Sequence, residues 1–152
     1  MIRKILELVA GVGPARSADN EKSLTDRVQV ATCVLLLEIA HSDDRFTEAE
    51  RSKVLEILKK RFQLADDQVA ELLDLGQVER KQSSDLWRFT NMIDNNYSRE
   101  EKERVVECLW KVVYADGRLD VHEDHLIHRL SKLLNLSHRQ LIDAKKRVMG
   151  WD

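Results

Sequence analysis

Glycine and proline are scarce, five and one in 152 residues, so little in the chain interrupts regular backbone structure. Leu, Glu, Lys, Arg and Ala are plentiful by contrast. These residues lose little rotamer freedom in a helix, and the balance predicts an all-α fold. Long apolar runs are also missing. Cys33 to Leu37 is cut by Glu38, far short of the ~18 residues that span a bilayer. Charge of one sign is missing too: 25 basic and 27 acidic residues leave a net charge of −2, which lacks the positive field that draws proteins to nucleic acid. No nucleic-acid partner is expected.

Cysteine occurs only twice, and Cys33 and Cys108 each sit inside an apolar helical stretch. They read as small buried hydrophobes, neither a disulfide pair nor a nucleophile. The first ten residues contain Glu7 and lack the long apolar centre of a secretion signal, so cytoplasmic residence is expected. No Gly-x-Ser-x-Gly elbow or glycine-rich phosphate loop occurs. In His122-Glu123-Asp124-His125 the spacing fails the zinc-protease pattern, because position 126 is Leu. His122, His125 and His128 recur every three residues and read as polar-face histidines, not ligands. A non-catalytic protein is expected.

What is present is helical periodicity with clear start signals. Ile2, Ile5, Leu6 and Val9 share one helical face, and Gly11-Val12-Gly13-Pro14 then breaks the pattern. Residues 1–20 are therefore assigned to an amphipathic helix and linker, with a helical domain over 21–152. The short helix packs on the body or touches a membrane peripherally through its apolar face. From Leu24 to Ala40 apolar residues go almost all the way round, which marks a core helix.

Thr47-Glu48-Ala49-Glu50 forms a capping box and opens a helix that reaches Phe62. Further helices are expected from Asp66 to Val78, with an end made uncertain by Gly76, and from Ser84 to Ile93, carrying Leu86, Trp87, Phe89 and Ile93. Ser98 and Glu101 open a second core helix, Asp120 and Glu123 the next, and Ser137 and Gln140 the last. Lys59-Lys60-Arg61 and Lys145-Lys146-Arg147 are local basic patches, either solvated surface or a contact for an acidic partner.

A shift of 73 positions superposes Asp43 on Asp116, Arg45 on Arg118, Phe46 on Leu119 and Glu50 on Glu123. Val54 then falls on Ile127 and Ile57 on Leu130. With one extra residue in the first copy, Leu64 falls on Leu136. The chain thus contains two repeats, about 24–78 and 96–150. They predict a pseudo-two-fold duplicated helix-turn-helix bundle of about seven to eight helices, with the long helices central.

The segment Tyr114-Ala115-Asp116-Gly117-Arg118-Leu119-Asp120-Val121-His122-Glu123 resembles the signature of the tellurite-resistance TerB family, an Ala-Asp-Gly step followed by a small apolar step and a glutamate. Residues Ile39 to Glu50 are similar to it, with Asp44 where glycine is common. The resemblance covers roughly Leu24 to Val148. It implies an all-helical pseudo-symmetric fold, an association with bacterial stress and tellurite-resistance systems, and a role in metal binding or partner recruitment. Related domains precede J domains in some co-chaperones, but this chain has no His-Pro-Asp triplet.

Asp43, Asp44, Glu50, Asp116, Asp120 and Glu123 are the candidate ligands for a divalent metal ion, since carboxylate oxygens suit calcium, magnesium or manganese. The competing explanation uses the same residues as helix punctuation: Asp43 and Asp116 bond turn amides, and Glu50 and Glu123 complete capping boxes. An EF-hand is excluded, because its twelve-residue loop does not match the seven steps from Asp116 to Glu123. A metal-free helical adaptor that recruits protein, chaperone or membrane partners is the alternative function.

Overall fold

A computed structural model describes residues 17–42, 46–83, 85–115 and 121–150, with side chains from Asp26 onward. Among these residues there are seven helices and no strand: α1 Ser17–Ala40, α2 Glu48–Phe62, α3 Asp66–Gln82, α4 Trp87–Asn96, α5 Arg99–Val113, α6 Val121–Leu133 and α7 His138–Met149. The amphipathic stretch at residues 1–10 lies outside the described residues.

The C-terminal half of helix α1 is the centre of the fold because its sequence has no broad polar face to give to solvent. Every residue from Val30 to Ala40 except Glu38 is buried. Thr32 fits this apolar setting because its hydroxyl donates to the Val28 carbonyl one turn back, at 2.8 Å. Helix α5 is the matching core helix, burying Val105, Val106, Cys108, Leu109, Trp110, Val112 and Val113. Trp110 also hydrogen-bonds while buried. Its indole Nε1 donates to the Leu141 carbonyl at 3.1 Å and ties α5 to α7.

The duplication governs how the helices pack. In the first half α1 packs on α2 and α3, and α2 on α3; in the second, α5 packs on α6 and α7, and α6 on α7. Across the halves α1 meets α5, α2 meets α5, and α6 meets α1, so each inter-half contact has its symmetric counterpart. Helix α4 has no counterpart; it links the halves and packs on α1 and α6. Helices α1 and α5 end 73 positions apart, whereas α3 and α7 begin 72 apart, as the one-residue difference between the repeats requires.

Local signals set the helix starts. Thr47, Ser98 and Ser137 each accept the amide of the residue three positions on, whose side chain accepts the amide of the cap. Ala65 has no hydroxyl, so only the return bond forms there, from its own amide to Gln68 Oε1 at 2.9 Å. Asp66 and Asp67 in the first turn of α3 complement the helix dipole.

Two expectations are corrected. Helix α3 runs through Gly76 to Gln82 instead of ending near Val78, and the glycine serves helix packing. A Cβ at position 76 would lie 2.6 Å from Cys33 Sγ, so the absent side chain lets α3 approach α1 closely. Helix α4 begins at Trp87 and continues to Asn96. Trp87 is 56% exposed, because Phe89, Thr90 and Ile93 face inward and a residue two positions before Phe89 falls on the opposite side.

Candidate functional site

The two acidic turns follow equivalent helix ends. His41 N donates to the Leu37 carbonyl at 2.9 Å and Ser42 N to Ile39 at 3.2 Å. In the second copy Tyr114 N donates to Trp110 at 3.0 Å and Ala115 N to Val112 at 3.1 Å, the same four positions displaced by 73. Ring contacts border both turns, across the first and before the second. His41 packs on Phe46 with centroids 4.4 Å apart, and Tyr114 stacks on Trp110 at 6.0 Å. Burial of His41 pushes its pKa down, and the nearby Arg80 guanidinium adds to this, so the neutral imidazole is favoured.

Of the six candidate ligands, Asp43, Asp44, Asp116 and Asp120 lie outside the described residues, as does Gly117. The other two, Glu50 and Glu123, open α2 and α6 at equivalent positions. Glu50 caps its own helix. Thr47 N and Thr47 Oγ1 donate to Glu50 Oε1 at 3.2 and 3.0 Å, and the Glu50 amide donates to Thr47 Oγ1 at 3.1 Å. Both Glu50 and Glu123 have further contacts, so neither is a free carboxylate.

Capping does not account for their burial. Glu50 is 4% exposed and Glu123 is 3% exposed. The other residues that occupy the third helical position of a capping pair are more open: Glu101 and Gln140 are half-buried and Gln68 is exposed. A carboxylate withdrawn from water needs hydrogen bonds or a cation to offset the lost hydration. The chain places such a group at the same point of both repeats. Among the described residues no three His, Cys, Asp or Glu side chains come together as a metal-binding group.

The remaining polar groups divide differently from the sequence pattern. His122 and His125 are exposed. His128 instead turns toward its own helix and toward α7, with Nε2 3.5 Å from Asp124 Oδ1 and its ring stacked on His138 at 5.5 Å. Cys33 and Cys108 are free and buried, and burial pushes both thiols up, Cys33 well above the ordinary range. Sequence reasoning misses the aromatic partners of the turns, although His41 and Tyr114 occupy the same register within the repeat.

A duplicated all-helical bundle, with a buried carboxylate opening the helix after each core helix, defines the structural class. The family model described as "Tellurite resistance protein TerB" matches residues 29–146, and the chain belongs to that family. The fold is similar to the crystal structure of a protein of unknown function from Porphyromonas gingivalis. The TM-score is 0.62 at 20% identity, covering 82% of this chain and 94% of the other. None of the curated proteins matches the sequence. Among the described residues no helix is long and apolar enough to cross a membrane.

Proposed function

We propose that this TerB-family protein is a non-catalytic cytoplasmic binding module that holds a divalent cation at its acidic turns and couples that ion to the docking of a protein partner. The observation that carries this reading is the burial of Glu50 and Glu123 at equivalent points, where capping alone leaves Glu101 and Gln140 half-open. Their oxygen donors fit calcium, magnesium or manganese, with Asp43, Asp44, Asp116 and Asp120 as the supporting carboxylates. The ion would neutralise the acids of these turns. Family membership supports a role linked to tellurite resistance and stress. The two unpaired buried cysteines suit a reducing compartment.

The test is a melting curve of chelator-treated protein, repeated with millimolar calcium, magnesium, manganese or zinc. A ligand that binds only the folded state raises its stability. A rise in Tm with one of the hard cations, lost in Glu50→Gln/Glu123→Gln, is the expected result. No rise with any ion removes the metal from the reading and leaves a metal-free adaptor.

A further inference from the structure

A groove lies between α2 and α5, and neither Glu50 nor Glu123 lines it. Its volume is about 570 Å³, and it is lined by Lys53, Glu56, Ile57, Lys60, Arg61, Gln63, Cys108 and Lys111. Lys53, Ile57 and Lys60 repeat at helical spacing and form one face of α2. Cys108 and Lys111, three apart, belong to one face of α5. Four cations therefore meet one carboxylate. That carboxylate, Glu56, reaches only Lys53 among the described residues, at 3.9 Å along its own helix.

The other three cations have no carboxylate within ion-pair distance among the described residues. This sets them apart. Lys102 pairs with Asp94 at 2.7 Å, Arg80 with Glu38 at 2.9 Å and Arg147 with Glu107 at 3.1 Å, and Lys59, beside Lys60, pairs with Asp66. Arg61 is the most telling. Its Nε is shut off from solvent yet has no acceptor among the described residues.

Basic residues at the end of α2 and Lys111 at the end of α5 complement helix dipoles. A purely dipolar role would have Arg61 reaching the last carbonyls of the helix, and its Nε bonds none. A buried guanidinium donor without an acceptor is costly, and because Arg61 also lines the groove an anion there offsets the charge of the same guanidinium.

We propose that the groove between α2 and α5 binds a small polyphosphate-bearing ligand, with Arg61, Lys60 and Lys111 holding the phosphate oxygens. Arg61 offers a planar fork that matches a phosphate, and the lysines add point charges from two helices. Ile57 and Cys108, both buried, form the apolar floor beneath the cations, against which the body of an organic polyphosphate can rest. The volume falls within the range of small-ligand sites. Recognition would come from side-chain cations on two helices, which is why no glycine-rich loop announces it in the sequence.

Isothermal titration in chelator-containing buffer, with tripolyphosphate, ATP and adenosine as probes, tests this without involving the acidic turns. Tripolyphosphate and ATP are expected to bind and adenosine not to. ATP binding more tightly than tripolyphosphate identifies an organic polyphosphate; equal binding identifies the phosphate chain alone as the ligand. Arg61→Gln and the exposed pair Lys60→Gln/Lys111→Gln are each expected to weaken binding roughly tenfold or more. Circular dichroism should show both folded, and Glu50→Gln/Glu123→Gln should bind as the parent does.

No heat at millimolar tripolyphosphate or ATP overturns the proposal, as does binding that both groove variants leave unchanged. Tighter binding of a hexaglutamate peptide than of either phosphate also overturns it, in favour of a surface for acidic protein segments.

Discussion

Gln63 and Asn135, which close α2 and α6, both hold a left-handed backbone, at φ 53° and 60°. The next amide in each copy reaches back across the helix end: Leu64 N to the Lys59 carbonyl at 3.1 Å, and Leu136 N to the Ser131 carbonyl at 3.0 Å. The pairs stand 72 positions apart, so the duplication extends to backbone handedness at the helix ends. Left-handed geometry is unfavourable for a residue with a Cβ, less so for asparagine. Gln63→Gly should therefore stabilise the fold by about 0.5–1 kcal/mol. Asn135→Gly should gain less, because Asn135 Nδ2 also donates to Asp94 Oδ2 at 2.6 Å. Thermal melts of both variants decide this, and a lower Tm for Gln63→Gly would contradict it.

The contact of Cys33 with Gly76 predicts a coupled pair. Gly76→Ala forces a methyl against Cys33 Sγ and should destabilise by about 1–3 kcal/mol. Cys33→Ala empties that space, so the double variant should lose less than the sum of the two single losses. Urea denaturation of all four proteins measures the coupling. Simple additivity would mean that the helices part instead of clashing.

Trp110 tests the link between the second core helix and α7. Trp110→Phe removes both volume and the donor to the Leu141 carbonyl, and the loss should be about 2–4 kcal/mol. A loss below about 1 kcal/mol would show that the indole bond and its packing contribute little.

The acid limb of stability should report on Asp94. Its hydrogen bond from Lys102 comes first in holding its carboxyl below the ordinary aspartate range, and Asn135 adds to this. A depressed folded-state pKa contributes stability above the unfolded value and loses it as pH falls through the folded value. The stability gap between the parent and Asp94→Asn should be full at neutral pH and shrink below about pH 4. Urea midpoints at about pH 7 and about pH 3 compare the two; an equal gap at both removes Asp94 from the acid response.

Glu50 and Glu101 separate capping from ion binding. Both accept the amide of their cap residue, Glu50 at 3.2 Å and Glu101 at 3.0 Å, but only Glu50 is buried. Gln retains an acceptor, so without metal Glu50→Gln and Glu101→Gln should each change stability by less than about 1 kcal/mol. With the favoured cation, Glu50→Gln should lose part of the Tm rise and Glu101→Gln none. Equal responses would remove Glu50 from the ion's ligands.

The seven described helices and their repeat are legible in the sequence because their causes are local. A Ser or Thr three positions before Glu or Gln acts within one turn, and the all-round apolar character of residues 30–40 leaves α1 only the interior. Gly76 misleads because its reason is a neighbour 43 positions away, Cys33. Trp87 misleads because four apolar residues suggest one face, whereas the start of α4 after Asp85 turns it outward.

The sequence by itself determined the helix class, the starts, the duplication and the family signature, since each depends on spacing along one chain. Only the tertiary structure decided that Glu50 is buried while Glu101, with the same local motif, is half-open. It also decided that Lys111 meets Lys60 and Arg61 across a groove. Burial and convergence depend on which helices cover a position, and that is a property of the packed halves.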